Sequence, residues 1–211
     1  MPAQRPEEAP GGEVGPRRRL PPEERRALIL AAAREAFAAA PYAEASTAGI
    51  AREAGSSPAL VLHYFGSKAQ LYAASVQASL DELAARQADA LAALPAGVPA
   101  RDRVKAVLEA VLDHVAAQPR AWAQPLVGGE EPPEALAVRR EARTAQLQAL
   151  RSLLPVDAGW VRHEYAIAGS LGFLDQACVR WVGAGCPPDQ RGPLVEATLG
   201  ALQGARGDWG A

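Results

Sequence analysis

Ile29, Ala33, Ala36, Phe37 and Ala40 recur at i, i+4, i+7, i+8 and i+11, the spacing that lines one face of an α-helix. Pro21 and Pro22 followed by Glu23 and Glu24 mark its start, because proline is tolerated in a first turn and the helix dipole favours acids there. Pro41 ends it. Ser46 predicts an N-cap for a helix over 47–54, which Gly55 ends by its freedom to take a left-handed conformation. Ser57 predicts a second cap, with Pro58 at the first helical position, where a missing N–H is harmless. Each of these helices has about eight residues and is marginal alone in water, so both must be held by packing on each other and on the first helix.

From Ser67, another N-cap, a long helix is predicted to about residue 94, closed by "PAGVP" at 95–99. Further helices are predicted over 101–117, 133–154, 158–182 and 188–203. The stretch "PRAWAQPLVGGEEPP" at 119–133 is broken by Pro and Gly and carries at most one short helix. No internal repeat is present. Residues 1–16 are rich in Pro, Gly and Glu, with no apolar period, and read as a flexible arm. The arm ends in Arg17, Arg18 and Arg19, either a solvated charge run or a cationic finger that orders on a polyanion.

Composition narrows the class. With 211 residues, 49% of them hydrophobic, the chain can bury a sizeable core. Ala, Leu, Arg, Glu and Gln outnumber β-branched and aromatic residues, so the expected class is all-α. Apolar runs break well before the roughly 18 to 20 residues of a membrane span, and the start lacks the layout of a secretory signal. The expectation is a cytoplasmic protein with no membrane partner. Cys178 and Cys186 cannot make a disulfide framework and have no His or Cys neighbours at zinc-ligand spacing, so no metal and no cofactor are expected. A net charge of -2 does not announce a nucleic acid. Its distribution is mildly uneven: nine Lys or Arg against eight acids up to Lys68, then thirteen against sixteen.

The spacing within the short helices says more. Counting from Thr47, Ala51 falls fifth, Gly55 ninth and Val61 fifteenth: a small residue where helices cross, a glycine in the turn, and a branched apolar residue facing back. This describes a helix-turn-helix, whose second helix is placed to enter a DNA major groove.

With "RRALILAAAREAFAAAPY" at 25–42, "STAGIAREAG" at 46–55 and "SSPALVLHYFGSKAQL" at 56–71, the chain resembles the TetR-type transcriptional regulators, motifs in the family's order. The resemblance implies an N-terminal three-helix helix-turn-helix DNA-binding domain. A larger helical ligand-binding and dimerisation domain would follow, with two late helices forming a four-helix bundle between subunits. The expected division is an arm at 1–20, the DNA-binding domain at 21–66, the effector-binding and dimerisation domain at 67–205 and a tail at 206–211. There are departures. Pro41 stands where the family commonly has Gly, Gly49 stands where an acidic or small residue is common, and Leu62 replaces a tyrosine whose hydroxyl touches the DNA backbone.

Backbone contacts position such a protein and base-edge contacts specify its site. Ser46 and Thr47 place hydroxyls at a helix N-terminus suited to a phosphate, or serve as caps alone. Lys68 lies where the family uses a lysine on phosphate. On the second short helix, Ser57 can donate or accept, Ala59 can meet a thymine methyl, and His63 can bond a base or a phosphate. His63 is expected to be exposed, with Leu60, Val61 and Phe65 inward. Tyr64 is expected on the DNA backbone, and Leu62 to pack or touch a sugar.

One short reading helix covers few base pairs, so a homodimer on a near-palindromic double-stranded site is expected. Small and aromatic residues at helical spacing, Tyr165, Ala168, Gly169, Gly172 and Phe173, and the stripe over 193–202 nominate its surface, with Gly169, Gly172, Leu194 and Leu199 as interface candidates. Leu108, Leu112, Trp122, Leu126, Tyr165 and Phe173 are candidate walls of a pocket for a small-molecule effector, under a broken segment that includes Val127. An enzyme is not expected: no phosphate-binding glycine motif, HExxH or Gly-x-Ser-x-Gly is present, and Asp113 and His114, adjacent on a helix, point in different directions. The expected function is sequence-specific transcriptional regulation, with repression as the family's usual mode and release by a ligand. The alternative is a helical ligand-binding or adaptor protein that has lost DNA binding.

Overall fold

The computed structural model describes residues 20–128, 130–154 and 161–207. Among these residues the chain is helical, with no strand. The arm with Arg17 to Arg19 and the tail from 208 lie outside the described residues.

Helix α1 (Pro22–Ala39) buries Ile29, Ala33 and Phe37 of its expected stripe, while Ala36 and Ala40 are half-buried. Helices α2 (Thr47–Glu53) and α3 (Pro58–Phe65) follow, and both caps form as expected. The Gly49 amide donates to Ser46 Oγ at 3.0 Å and the Leu60 amide to Ser57 Oγ at 3.2 Å. Gly55 takes a left-handed φ of +57° in the turn between them, and Arg25 of α1 donates to its carbonyl at 3.3 Å. The inward residues Ile50, Ala51, Val61 and Phe65 join Ile29, Ala33 and Phe37 in one apolar cluster. Burying a side chain such as Ile50 or Val61 contributes roughly 1.5–3 kcal/mol, which is what two such short helices lack on their own.

Helix α4 (Lys68–Ala92), capped by Ser67, is shared by two cores. Its first turns give Leu71, Tyr72, Ala73 and Val76 to the N-terminal cluster. Leu83, farther along, belongs to a second cluster with Val104, Leu112, Leu174, Trp181 and Leu199. The N-terminal core therefore runs past the expected boundary at residue 66, because the apolar face of α4 continues beneath α1. That core also takes Ala135, fully buried, from α7.

Helices α5 (Ala100–Ala117), α7 (Pro133–Leu153), α8 (Val161–Gly183) and α9 (Arg191–Arg206) build the larger part, with α4 against α5 and α7 and α8 against α9. The broken segment carries one short α-helix, as expected, and the start of the last helix shifts. The segment from 119 forms a five-residue helix α6 (Pro119–Ala123) and a 3-10 turn (Gln124–Leu126), each with its proline in the first turn, where the lost N–H had no partner. The last helix begins at Arg191, three residues late, because Pro188–Gln190 forms a separate 3-10 turn.

Gly66 ends α3 at φ +78°, and a Cβ there would lie 2.0 Å from Gln70 Oε1. Gly55 has nothing within 4 Å of its missing Cβ, so a side chain there meets only the left-handed penalty. Gly55→Ala is expected to lower stability by roughly 1–2 kcal/mol, and Gly66→Ala by more. Adding Gln70→Ala to Gly66→Ala should return it to the Gly55→Ala value, read from urea denaturation midpoints.

Candidate nucleic-acid interface

Helix α3 has an inner and an outer side. Val61 and Phe65 are 1% and 7% exposed, and Leu60 and Tyr64 are half-buried. Ser57, Ala59, Leu62 and His63 face outward. The His63 ring lies edge-on to Tyr64, with centroids 5.5 Å apart, so an aromatic edge and an imidazole share the outer surface at the C-terminal end of the helix. Leu62 is 43% exposed, which removes the expectation that it packs: it falls one position beyond the buried Val61, on the outer face. Ser46 is exposed and Thr47 half-buried at the N-terminus of α2. The Ser46 hydroxyl accepts from Gly49 and keeps its own proton to donate.

Lys68 is more constrained than a solvated lysine. Its Nζ donates to the Ala43 carbonyl at 3.3 Å and sits 4.5 Å from the centre of the Tyr42 ring. An ammonium carries three donors, so one hydrogen bond holds the charge in place and leaves donors for an anion. Tyr42 in turn packs on Tyr72 of α4, with ring centroids 5.1 Å apart, and Tyr72 meets Phe37 edge-on at 4.8 Å. Arg26 of α1 lies over the Phe65 ring at 4.8 Å. Sequence reasoning missed the positioning roles of Arg25, Arg26 and Tyr42. Each acts on a residue that is distant in sequence, and helical periodicity says nothing about such a pairing; the aromatic Tyr42 just after Pro41 was the one available signal.

The Tyr72 hydroxyl donates at 2.5 Å to Glu131, whose carboxylate also takes two hydrogen bonds from Arg139 at 2.7 and 2.8 Å. The Glu131 side chain is 4% exposed. Burial, and then the Glu131 hydrogen bond, raise the Tyr72 pKa well above the usual phenol value, so the hydroxyl remains a donor. This cluster ties the segment before α7 to the first turns of α4.

The larger part holds a mainly apolar cavity of about 160 Å³. Of the expected wall residues, Leu108 and Trp122 line it. The other four do not. Leu112 is fully buried in the core, while Leu126, Tyr165 and Phe173 are 36%, 75% and 41% exposed. Tyr165 and Phe173 lie on the outer face of α8 with the exposed Ala168, Gly169 and Gly172, whereas its inner face buries Ala166, Ile167, Ser170 and Leu174. On α9, Leu199 is buried in this chain's own core and Leu194 packs partly against it. Neither stands on the outer face expected of an interface residue, because the apolar stripe of α9 turns inward onto α8 and α5.

Cys178 is buried among apolar side chains, and burial pushes its thiol up to about 12; it is a protonated packing group at neutral pH. Both cysteines are free. Among the described residues no group of His, Cys, Asp and Glu could hold a metal ion, and no helix is long and apolar enough to cross a membrane.

An exposed, capped reading helix, set by a glycine turn behind a second capped helix and backed by α1, defines a helix-turn-helix protein of the DNA-binding type. The comparisons agree with this geometry. Residues 29–75 match the family model for bacterial regulatory proteins of the tetR family. The chain is 35% identical over 138 residues to the HTH-type transcriptional regulator BetI of Rhizobium meliloti, covering 62% of this chain and 64% of that one. It is 35% identical over 109 residues to the HTH-type transcriptional activator FasR of Mycolicibacterium smegmatis, covering 52% of this chain and 48% of that one. The matches thus span less than two thirds of either curated relative. A tetR-family transcriptional regulator from Streptomyces coelicolor has the same fold, with a TM-score of 0.72 at 24% identity over 88% of this chain and 80% of that one. The chain is thus similar to tetR-family regulators over residues 29–75 and shares the fold of a solved one. Each of these three proteins is named as a transcriptional regulator or activator.

His114 of α5 is 7% exposed, with Nε2 3.1 Å from Ser79 Oγ. Burial lowers its pKa, Arg86 and Arg34 push the same way, and Glu82 opposes them. The neutral ring therefore stabilises the fold fully above an unfolded-state pKa of about 6.5. That contribution is lost as the pH falls below it, since the unfolded chain then takes up a proton that the folded one resists. Urea midpoints measured from about pH 7 down to about pH 5 should fall, and His114→Gln should flatten that fall.

Proposed function

We propose that the chain is a sequence-specific DNA-binding transcriptional regulator, acting as a homodimer on a near-palindromic site and released from it by a small molecule. The observation that carries this reading is the outward face of α3. Ser57, Ala59 and His63 are exposed there, while Lys68 is held at the edge of the same unit by Tyr42 and Ala43. In this reading His63 and Ser57 read base edges, Ala59 meets a thymine methyl, and Ser46, Thr47, Tyr64 and Lys68 contact the backbone. The exposed α8 face of Tyr165, Gly169, Gly172 and Phe173 supports dimerisation, since small residues allow close helix approach and two large apolar side chains otherwise stand in water. A ligand in the cavity would release DNA to the extent that it prefers the non-binding conformation. Repression is the mode proposed.

The exposed Leu62 supports a second reading, a helical ligand-binding protein without DNA binding, because the outer face lacks a phenol hydroxyl at that position. Selection of bound sequences from random duplexes at low salt separates the two: a folded dimer that enriches no sequence would favour the second reading.

With about three phosphates neutralised per subunit, affinity should fall roughly a thousandfold between 50 and 200 mM salt. Lys68→Ala is expected to weaken binding to every duplex about equally and to flatten the salt slope of the dimer by roughly 2, about 1 for each subunit; an unchanged slope excludes a phosphate role. His63→Ala should change the selected sequence, and an unaltered site would count against base contact by His63.

A further inference from the structure

A second cavity of about 100 Å³ lies beside the apolar one, between α1, α4, α5, α6 and α7. The two share Leu83, Trp122 and Gln146 as a common wall, and their chemistry differs. The larger is lined mostly by aliphatic side chains such as Val104, Leu108, Val111, Leu174 and Leu202, and its one pair of charges, Arg143 and Asp175, is joined in an ion pair. At about 160 Å³ it is of the size at which an apolar cavity takes a benzene-sized guest.

The smaller cavity is lined by Arg34, Arg139, Gln118, Gln124 and His114, and no carboxylate is among its described lining residues. The acids that pair with its two arginines, Glu82 and Glu131, stand outside the lining. Each acid holds its arginine through two hydrogen bonds of 2.6–2.8 Å, so the guanidinium charges are matched, and what the lining offers a guest is the N–H donors left over on Arg34 and Arg139 together with the amides of Gln118 and Gln124. A carboxylate, which only accepts hydrogen bonds, suits those donors better than a hydroxyl, and an ammonium, which only donates, suits them least.

We propose that the two cavities form one bipartite site for a hydrophobic carboxylate, with the apolar body among Leu108, Val111 and Leu174 and the carboxylate in the smaller cavity facing Arg34 and Arg139. Gln146, on the shared wall, spans the change from apolar to polar lining. The head group then touches α1 itself through Arg34, Phe37 and Ala38. Ligand affinity thereby depends on how α1 sits against α4, and α1 is the helix that backs α2 and α3. The ligand class stands on the cavities alone; its role in releasing DNA rests on the proposed function.

The test is calorimetric titration of the full chain with octanoate, 1-octanol and octylamine, three probes with the same apolar body and different heads. Octanoate should saturate at one per chain and bind about tenfold more tightly than octanol, the margin of a charge-assisted over a neutral hydrogen bond; octylamine should bind least. Arg34→Met should abolish the advantage of octanoate and bring the two probes to about the same affinity, with an unchanged circular dichroism spectrum showing that the variant is folded. Leu108→Trp, which fills the apolar cavity, should weaken both. Octanol binding as tightly as octanoate, a preference for octylamine, or octanoate binding unchanged in Arg34→Met would each overturn the proposal. These outcomes are separable from the regulatory reading. A chain that binds a selected duplex but not octanoate loses the carboxylate site and keeps its DNA function. A chain that binds octanoate with the stated head-group order but keeps its duplex confirms the site and loses the release mechanism.

Discussion

Two helices of seven and eight residues do not persist alone in water. What holds α2 and α3 is the burial of Ile50, Ala51, Val61 and Phe65 against Ile29, Ala33 and Phe37 of α1. The rest of the candidate interface depends on this apolar contact. It sets which side of α3 is inner, and so which residues are outer. The serine caps start both helices and Gly55 turns between them, but neither device selects a face. Arg25 adds a direct tie from α1 to the Gly55 turn, and Arg26 covers the Phe65 ring at the other end of the reading helix.

The same core extends into α4, and through α4 the two parts of the molecule are one mechanical unit. Leu71 to Val76 are anchored beneath α2 and α3, and Leu83 lines the larger cavity. Two polar ties reinforce the connection. Arg34 of α1 holds Glu82 of α4 through two hydrogen bonds of 2.7 and 2.6 Å, which lowers the Glu82 carboxyl pKa and raises that of the guanidinium. Glu131, nearly fully buried, joins Tyr72 to Arg139 of α7. Because Tyr72 also packs on Tyr42, which seats Lys68, a displacement of α7 has a contiguous packed route to a proposed phosphate contact. Both ties lie next to the smaller cavity.

The N-terminal unit was legible because its signals are local. Caps, first-turn prolines, a turn glycine and a repeating apolar stripe each act within one or two turns, so α1 to α4 appear at the expected places. The cavity was less legible. Periodicity marks Leu112, Tyr165 and Phe173 as members of apolar stripes, and it cannot say whether a stripe faces a neighbouring helix, a void or solvent. On α8 the chain carries two such stripes. Ile167 and Leu174 turn inward while Tyr165 and Phe173 turn outward, and only the placement of α9 and α7 distinguishes them. Leu199 was nominated for an outer face for the same reason and lies in the core. Arg34 and Arg139, the arginines of the smaller cavity, stand 105 positions apart in the sequence, a separation that no motif spans.

The sequence by itself determined the helical class, the capped helix-turn-helix and the family it resembles, because each follows from contacts between near neighbours in the chain. Tertiary structure decided which apolar residues are core, cavity or outer face, and which charges are already paired. Those outcomes depend on side chains brought together from helices far apart in sequence, and on the space left between them.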